Sequence, residues 1–206
     1  MAGTDNEAYW IARHEDYRHK LAAVGDISSS EERNLELYAQ KKRRVADLLK
    51  TMGSLDLAGK TVLDAGCGIG MVSELFFVLG AEVNGVDASP VAAKEAELRC
   101  PGGDFQAASL LDFSFSQSFD IVFCLDVLYH VVDDENWKRV LVQLVSHARP
   151  GGRVVIIDQH KAEPFSPADH VRFRTQQMYD EAMLACGAQT VTPPDHPHFL
   201  VYERSS

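Results

Sequence analysis

The chain has 206 residues, 46% of them apolar and 24% charged, with 20 Lys and Arg against 30 Asp and Glu for a net charge of −10. These values exclude disordered, collagenous and fibrous classes. They describe one globular domain with at most a small appendage, able to bury roughly 70% of its unfolded surface without a disulfide or metal staple. So acidic a surface repels polyphosphates and acidic lipids, and neither nucleic acid nor a membrane is expected as a partner.

The opening Met-Ala-Gly-Thr-Asp-Asn-Glu lacks the basic start and apolar stretch of a signal peptide. A first helix is expected over residues 6–24, stopped by Gly25. A second follows Ser28-Ser29-Ser30, where Ser-x-x-Glu spacing to Glu31 or Glu32 offers a capping box. In that helix Leu35, Tyr38, Val45, Leu49 and Met52 form an apolar stripe, interrupted by Lys42. Residues 1–58 read as a helical cap or lid, and 59–206 as the main domain.

From Lys60 onward, short apolar runs alternate with amphipathic stretches. Strands are expected over residues 61–65, 82–87, 104–107, 119–125 and 153–158, with helices over 70–79, 90–99 and 134–148. Ile121-Val122-Phe123-Cys124-Leu125 and Val154-Val155-Ile156-Ile157 are apolar on both faces, as in a parallel sheet covered by helices. A long helix over 167–186, opened by Ser166-Pro167, leads to strands at 188–192 and 199–203. The connection between those two strands is too short for a right-handed crossover, so the last strand should run antiparallel. The fold class is a doubly wound α/β domain: seven strands, an antiparallel last strand and an N-terminal helical cap. Ligands of such sheets lie at the carboxyl ends of the strands, near the switch in strand order. The dispersed Cys67, Cys100, Cys124 and Cys186 form no C-x-x-C pair, and the most apolar window, 121–132, is broken by Asp126 and His130. A reducing, cytoplasmic setting is expected.

Strand one runs into Asp64-Ala65-Gly66-Cys67-Gly68-Ile69-Gly70, whose alternate glycines allow a tight turn and close backbone approach to a ligand. The dinucleotide fingerprint would need glycine where Met71 or Ser73 stands. Asp64 would repel a pyrophosphate and suits a cationic ligand. Asp87 falls 21 residues after Gly66, where a carboxylate can accept from both hydroxyls of a ribose.

A ribose-bearing ligand with a cationic tail and no pyrophosphate is what S-adenosylmethionine offers. The sequence resembles the class I S-adenosylmethionine-dependent methyltransferases through Val62-Leu63-Asp64-Ala65-Gly66-Cys67-Gly68-Ile69-Gly70, Gly85-Val86-Asp87-Ala88-Ser89, Phe119-Asp120-Ile121-Val122 and Pro150-Gly151-Gly152. The resemblance covers roughly residues 60–160 and implies a Rossmann-like fold with this cofactor. It also implies that Asp64 and the turn of Gly66, Cys67, Gly68 and Gly70 hold the methionine end. Asp87 with Ala88 would hold the ribose, Ser109 and Leu110 the adenine, and the Cys124 backbone would line the methionine moiety. Lys42, with Tyr38 one turn earlier, either meets the methionine carboxylate or snorkels to the surface.

Methyl transfer is an in-line displacement on an already electrophilic carbon, so placing the acceptor supplies most of the catalysis. A hydroxyl acceptor also benefits from a base, and histidine is the usual one near neutral pH. His160, after strand five, is the first candidate and His130, after strand four, the second. His196 and His198 on the final hairpin could join His160 at a metal, but magnesium prefers carboxylates, so no metal is expected. Tyr9, Trp10, Arg13, His14 and Tyr17 crowd one side of the first helix as lid or anchor. The expected activity is methylation of a small molecule, on a hydroxyl of a sugar or secondary metabolite. An amine acceptor and a non-catalytic cofactor-binding protein are the alternatives; oligomeric state is not readable.

Overall fold

A computed structural model describes residues 6–206; most of the opening segment read above as leaderless, residues 1–5, lies outside them. Two helices come first, α1 (Asn6–Asp16) and α2 (Glu31–Thr51). The Rossmann-like core follows: β1 (Thr61–Ala65), α3 (Ser73–Val78), β2 (Glu82–Asp87), α4 (Pro90–Arg99), β3 (Phe105–Ala107), β4 (Phe119–Leu125), α5 (Asp134–His147) and β5 (Ala148–Ile157). A hairpin, β6 (Phe165–Ala168) and β7 (Val171–Phe173), precedes α6 (Gln176–Ala185), β8 (Ala188–Thr190) and β9 (Phe199–Arg204).

The seven-stranded sheet has the order β3-β2-β1-β4-β5-β9-β8. Strands β1 to β5 are parallel, and β9 runs antiparallel between β5 and β8, as its short connection requires. The two-residue period of the strands sends neighbours to opposite faces. Leu63, Val122, Cys124, Val154 and Ile156 pack on Trp137, Leu141 and Leu144 of α5 and Met183 of α6. Val62, Ile121, Phe123, Val155 and Val201 pack on Val45, Leu48 and Leu49 of α2 and Phe76 of α3. The winding reverses between β1 and β4, so a crevice opens beyond their carboxyl ends.

Three expectations are corrected. The first helix stops at Asp16. His19 then takes a left-handed φ of 65°, and the chain closes in a 3-10 turn, Leu21–Ala23, before Gly25. The second helix is capped by Ser30, whose hydroxyl accepts from Arg33 N at 3.2 Å. Ser28 and Ser29 instead donate to Asp26. The long helix expected over 167–186 is replaced by the β6–β7 hairpin and the shorter α6. Residues 171–174, Val-Arg-Phe-Arg, alternate with a period of two. Asp134 pairs with both Arg172 and Arg174, and Thr175 caps α6 through Met178 N at 3.1 Å.

Glycine is required at position 70, where φ is +79° and a Cβ would lie 2.7 Å from Ala96 Cα, so the packing of the glycine turn on α4 admits no side chain. Gly70→Ala is expected to cost roughly 1–3 kcal/mol of stability, read from urea unfolding.

Candidate active site

A cleft of about 970 Å³ occupies the crevice. Its floor comes from the strand ends and its roof from α1, α2 and the turn between them: Asp64, Gly66, Cys67, Gly68, Asp87, Ala88 and Leu110 below, Trp10, Arg13, His14, Val24, Tyr38 and Lys41 above. The loop after β4 supplies Asp126, Val127, Tyr129 and His130.

The glycine turn is held from both sides. Gly66 N and Cys67 N donate to Val86 O at 2.7 and 3.0 Å, and Gly68 N donates to Asp87 Oδ2 at 2.9 Å. Asp87 Oδ1 accepts from Ser89 N at 2.9 Å. Side chains from outside the core close over the bare backbone: a Cβ on Gly66 would meet Val127 at 2.5 Å, and one on Gly68 would meet Val24 at 2.8 Å. Burial raises the Asp87 carboxyl above its ordinary value, opposed by those amides and by His14. Each of its oxygens keeps acceptor capacity beyond the one amide bond it makes.

Asp64 is 3% exposed, and its Oδ2 accepts from Ser73 Oγ at 2.6 Å. Burial pushes its carboxyl up to about 6, against the opposing pull of Ser73 and Lys41. The Lys41 ammonium sits 2.6 Å from Asp126 Oδ2 and 4.9 Å from the Tyr38 ring centroid. Asp126 itself takes a φ of 60°, an uncommon conformation for a residue with a side chain. Tyr38 lines the cleft and donates from its hydroxyl to Val24 O at 3.1 Å.

His130 lies on the cleft wall, its Nδ1 3.2 Å from His170 O. Since a carbonyl only accepts, that contact assigns the proton to Nδ1 and leaves the lone pair on Nε2. Burial pushes the imidazole down to about 4. Trp10, at 4.9 Å between centroids, packs edge-on against the ring.

Residues 62–152 match the family described as methyltransferase domain. Proteins named ubiquinone biosynthesis O-methyltransferase are similar in the same region. That of Xanthomonas oryzae is 38% identical over 108 residues, 50% of this chain and 44% of the relative. That of Aromatoleum aromaticum is 42% identical over 104 residues, 48% of this chain and 43% of the relative. The matched segments thus span somewhat under half of these relatives. Among solved structures, the SAM-bound magnesium protoporphyrin IX methyltransferase of Synechocystis aligns over 100% of both chains with a TM-score of 0.72 at 22% identity. An amino pentose methyltransferase of Micromonospora echinaspora aligns over 82% of this chain and 92% of its own with a TM-score of 0.65 at 19% identity. Residues 62–152 thus carry a methyltransferase domain, on a fold shared with solved S-adenosylmethionine-dependent methyltransferases.

The donors present suit S-adenosylmethionine. Two cleft carboxylates, Asp87 and Asp64, can face a ribose and a cationic tail. The cleft gathers Tyr38, Asp64, Gly66, Cys67, Gly68, Asp87, Ala88, Leu110 and His130 of the residues singled out from sequence.

Others fall elsewhere. Gly70 serves helix packing, Cys124 is buried in the core, and the Ser109 hydroxyl donates to Glu7. Lys42 turns from the cleft to pair with Glu74 at 2.6 Å, and Lys41 takes the inward position. His160 does not line the cleft, although its neighbour Gln159 does. His196 meets Thr51 Oγ1 at 2.9 Å, away from the site, and no group of three potential metal ligands assembles among the described residues. Among those residues no helix is long and apolar enough to cross a membrane. Lys41 and Asp126 were missed from sequence. Their signals are the basic run 41–44 and the carboxylate that directly follows strand four.

Proposed function

We propose that the chain transfers the methyl group of S-adenosylmethionine to a hydroxyl of a small molecule. The observation that carries this reading is His130: an imidazole uncharged at neutral pH, its Nδ1 engaged by His170 O, on the wall of the cleft that holds Asp64 and Asp87. The sequence relatives named as O-methyltransferases support a hydroxyl acceptor.

The cofactor supplies a methyl carbon on a positively charged sulfur, and the C–S electron pair stays with sulfur when the bond breaks. Asp87 would accept from the ribose hydroxyls, and Asp64 would face the cationic end. Leu110 and Leu111 would flank the adenine, and Lys41, which pairs with Asp126, would meet the carboxylate in place of Lys42. His130 Nε2 takes the acceptor's proton as the oxygen takes the methyl group, then releases it to solvent. Helices α1 and α2 act as the lid over 59–206, since they supply the roof of the cleft.

Incubation with methyl-labelled S-adenosylmethionine and a fractionated metabolite extract is expected to yield a low-mass product labelled as an O-methyl ether. Label on nitrogen would move the acceptor to an amine, and absence of any product alongside tight cofactor binding would overturn the enzymatic reading. Asp87→Ala is expected to weaken S-adenosylhomocysteine by roughly 10- to 100-fold in calorimetry, the scale of one charge-assisted hydrogen bond. Unchanged affinity would sink the ribose assignment.

A further inference from the structure

His14 stands apart from the other buried polar groups. It is 2% exposed, it lines the cleft from α1, and neither ring nitrogen has a hydrogen-bond partner among the described residues. The Trp10 carbonyl, one turn earlier, approaches the ring without meeting hydrogen-bond geometry. Leaving a buried polar group unpaired is costly, so an imidazole kept this way points to a partner that arrives with the ligand.

The surroundings narrow what that partner is. The charged groups that act on His14 are Asp87 after β2, Glu95 of α4 and its neighbour Arg13. Glu95 is engaged by His19, through its backbone N at 3.2 Å and its Nδ1 at 3.1 Å. Arg13 is spent on the Ala22 and Gly25 carbonyls. Asp87 alone remains open toward the cleft, and burial holds His14 below its ordinary value, in the neutral form with one N–H to give. A hydroxyl that donates its hydrogen to a carboxylate keeps its lone pairs and can accept from such an N–H.

We infer that His14 is a cofactor-binding residue, donating from its imidazole to a ribose hydroxyl whose hydrogen goes to Asp87, so that cofactor binding fastens the lid helix α1 to the core. This rests on the cofactor reading above. It adds a contact from outside residues 62–152, the segment that matches the family.

The test is calorimetry with S-adenosylhomocysteine and with methylthioadenosine, which keeps the nucleoside and lacks the amino-acid end. His14→Phe, which retains the packing, and His14→Ala are each expected to weaken both ligands by a similar factor, about fivefold to tenfold. Combined with Asp87→Ala, either should show a non-additive loss. In the wild-type protein, nitrogen NMR of His14 should report one neutral tautomer fixed on ligand addition, a readout that does not depend on the variants folding. Equal affinity of the variants for both ligands, a loss confined to S-adenosylhomocysteine, or His14 resonances unmoved by ligand would overturn the assignment. Failure of the wild-type protein to bind either ligand would instead overturn the cofactor reading.

Discussion

Replacing His130 with alanine is expected to lower kcat by about 10²- to 10⁴-fold, the usual worth of a positioned base, with S-adenosylhomocysteine affinity nearly intact. His160→Ala, by contrast, should leave turnover close to wild type, because that residue lies outside the cleft. An imidazole held at about 4 is a weak base, yet it suffices. The proton departs as the oxygen acquires the methyl group, when the O–H belongs to an oxonium far more acidic than imidazolium. At saturating S-adenosylmethionine the rate should therefore stay flat as pH falls through 6.5, where an ordinary histidine would switch off, and decline only toward about 4.

The same burial sets a stability slope. The folded value lies below the unfolded one, so the contribution of His130 is complete above 6.5 and lost as pH falls toward about 4. The melting temperature of the wild type should accordingly drop more steeply across that window than that of His130→Asn. A kcat unchanged by His130→Ala would remove the residue from the reaction.

What the sequence disclosed follows its periodicities. Apolar runs two-sided at 121–125 and 154–157 required a sheet covered on both faces. The six-residue connection before Phe199 required an antiparallel strand, and Asp87 had to lie at a strand end beside the glycine turn. Rotation about a helix was beyond reach. Leu35 drew the apolar stripe to one side, but it is 50% exposed; the inward line runs through buried Asn34, Val45, Leu48 and Leu49, with half-buried Tyr38 and Lys41 on the same side. One residue is about 100° of turn, enough to exchange Lys41 in the cleft for Lys42 on Glu74.

The hairpin at 165–173 was hidden for a related reason. Pro167 suits a helix start and an extended edge alike, and the ion pairs that decide the matter come from Asp134, far away in sequence. The choice between His130 and His160 depended on where the chain turns after β4 and β5, which loop composition does not encode.

Asp64→Asn is expected to weaken S-adenosylmethionine on the order of 10²-fold, the scale for removing one partner of a desolvated charge pair. Methylthioadenosine, which carries neither the ammonium nor the sulfonium, should bind the variant as it binds the wild type. The Asn carbonyl can still accept from Ser73, so the fold around Ser73 need not rearrange.

The linkage signs follow from a carboxyl pushed up to about 6 by burial. Its stabilising contribution is complete below the unfolded value of 3.8 and is lost as pH rises through about 6, a cost of roughly 3 kcal/mol by pH 7 in the free protein. Asp64→Asn should therefore raise the melting temperature near pH 7 while it impairs cofactor binding. A cationic ligand pulls the carboxyl back to its ionised form, so binding near pH 6 should expel about half a proton, and binding at pH 8 almost none. Calorimetry in buffers of different ionisation enthalpy reads that release directly, and the variant should show it abolished. A variant that binds S-adenosylmethionine as tightly as the wild type, with the same proton release, would place the cationic end of the cofactor away from Asp64.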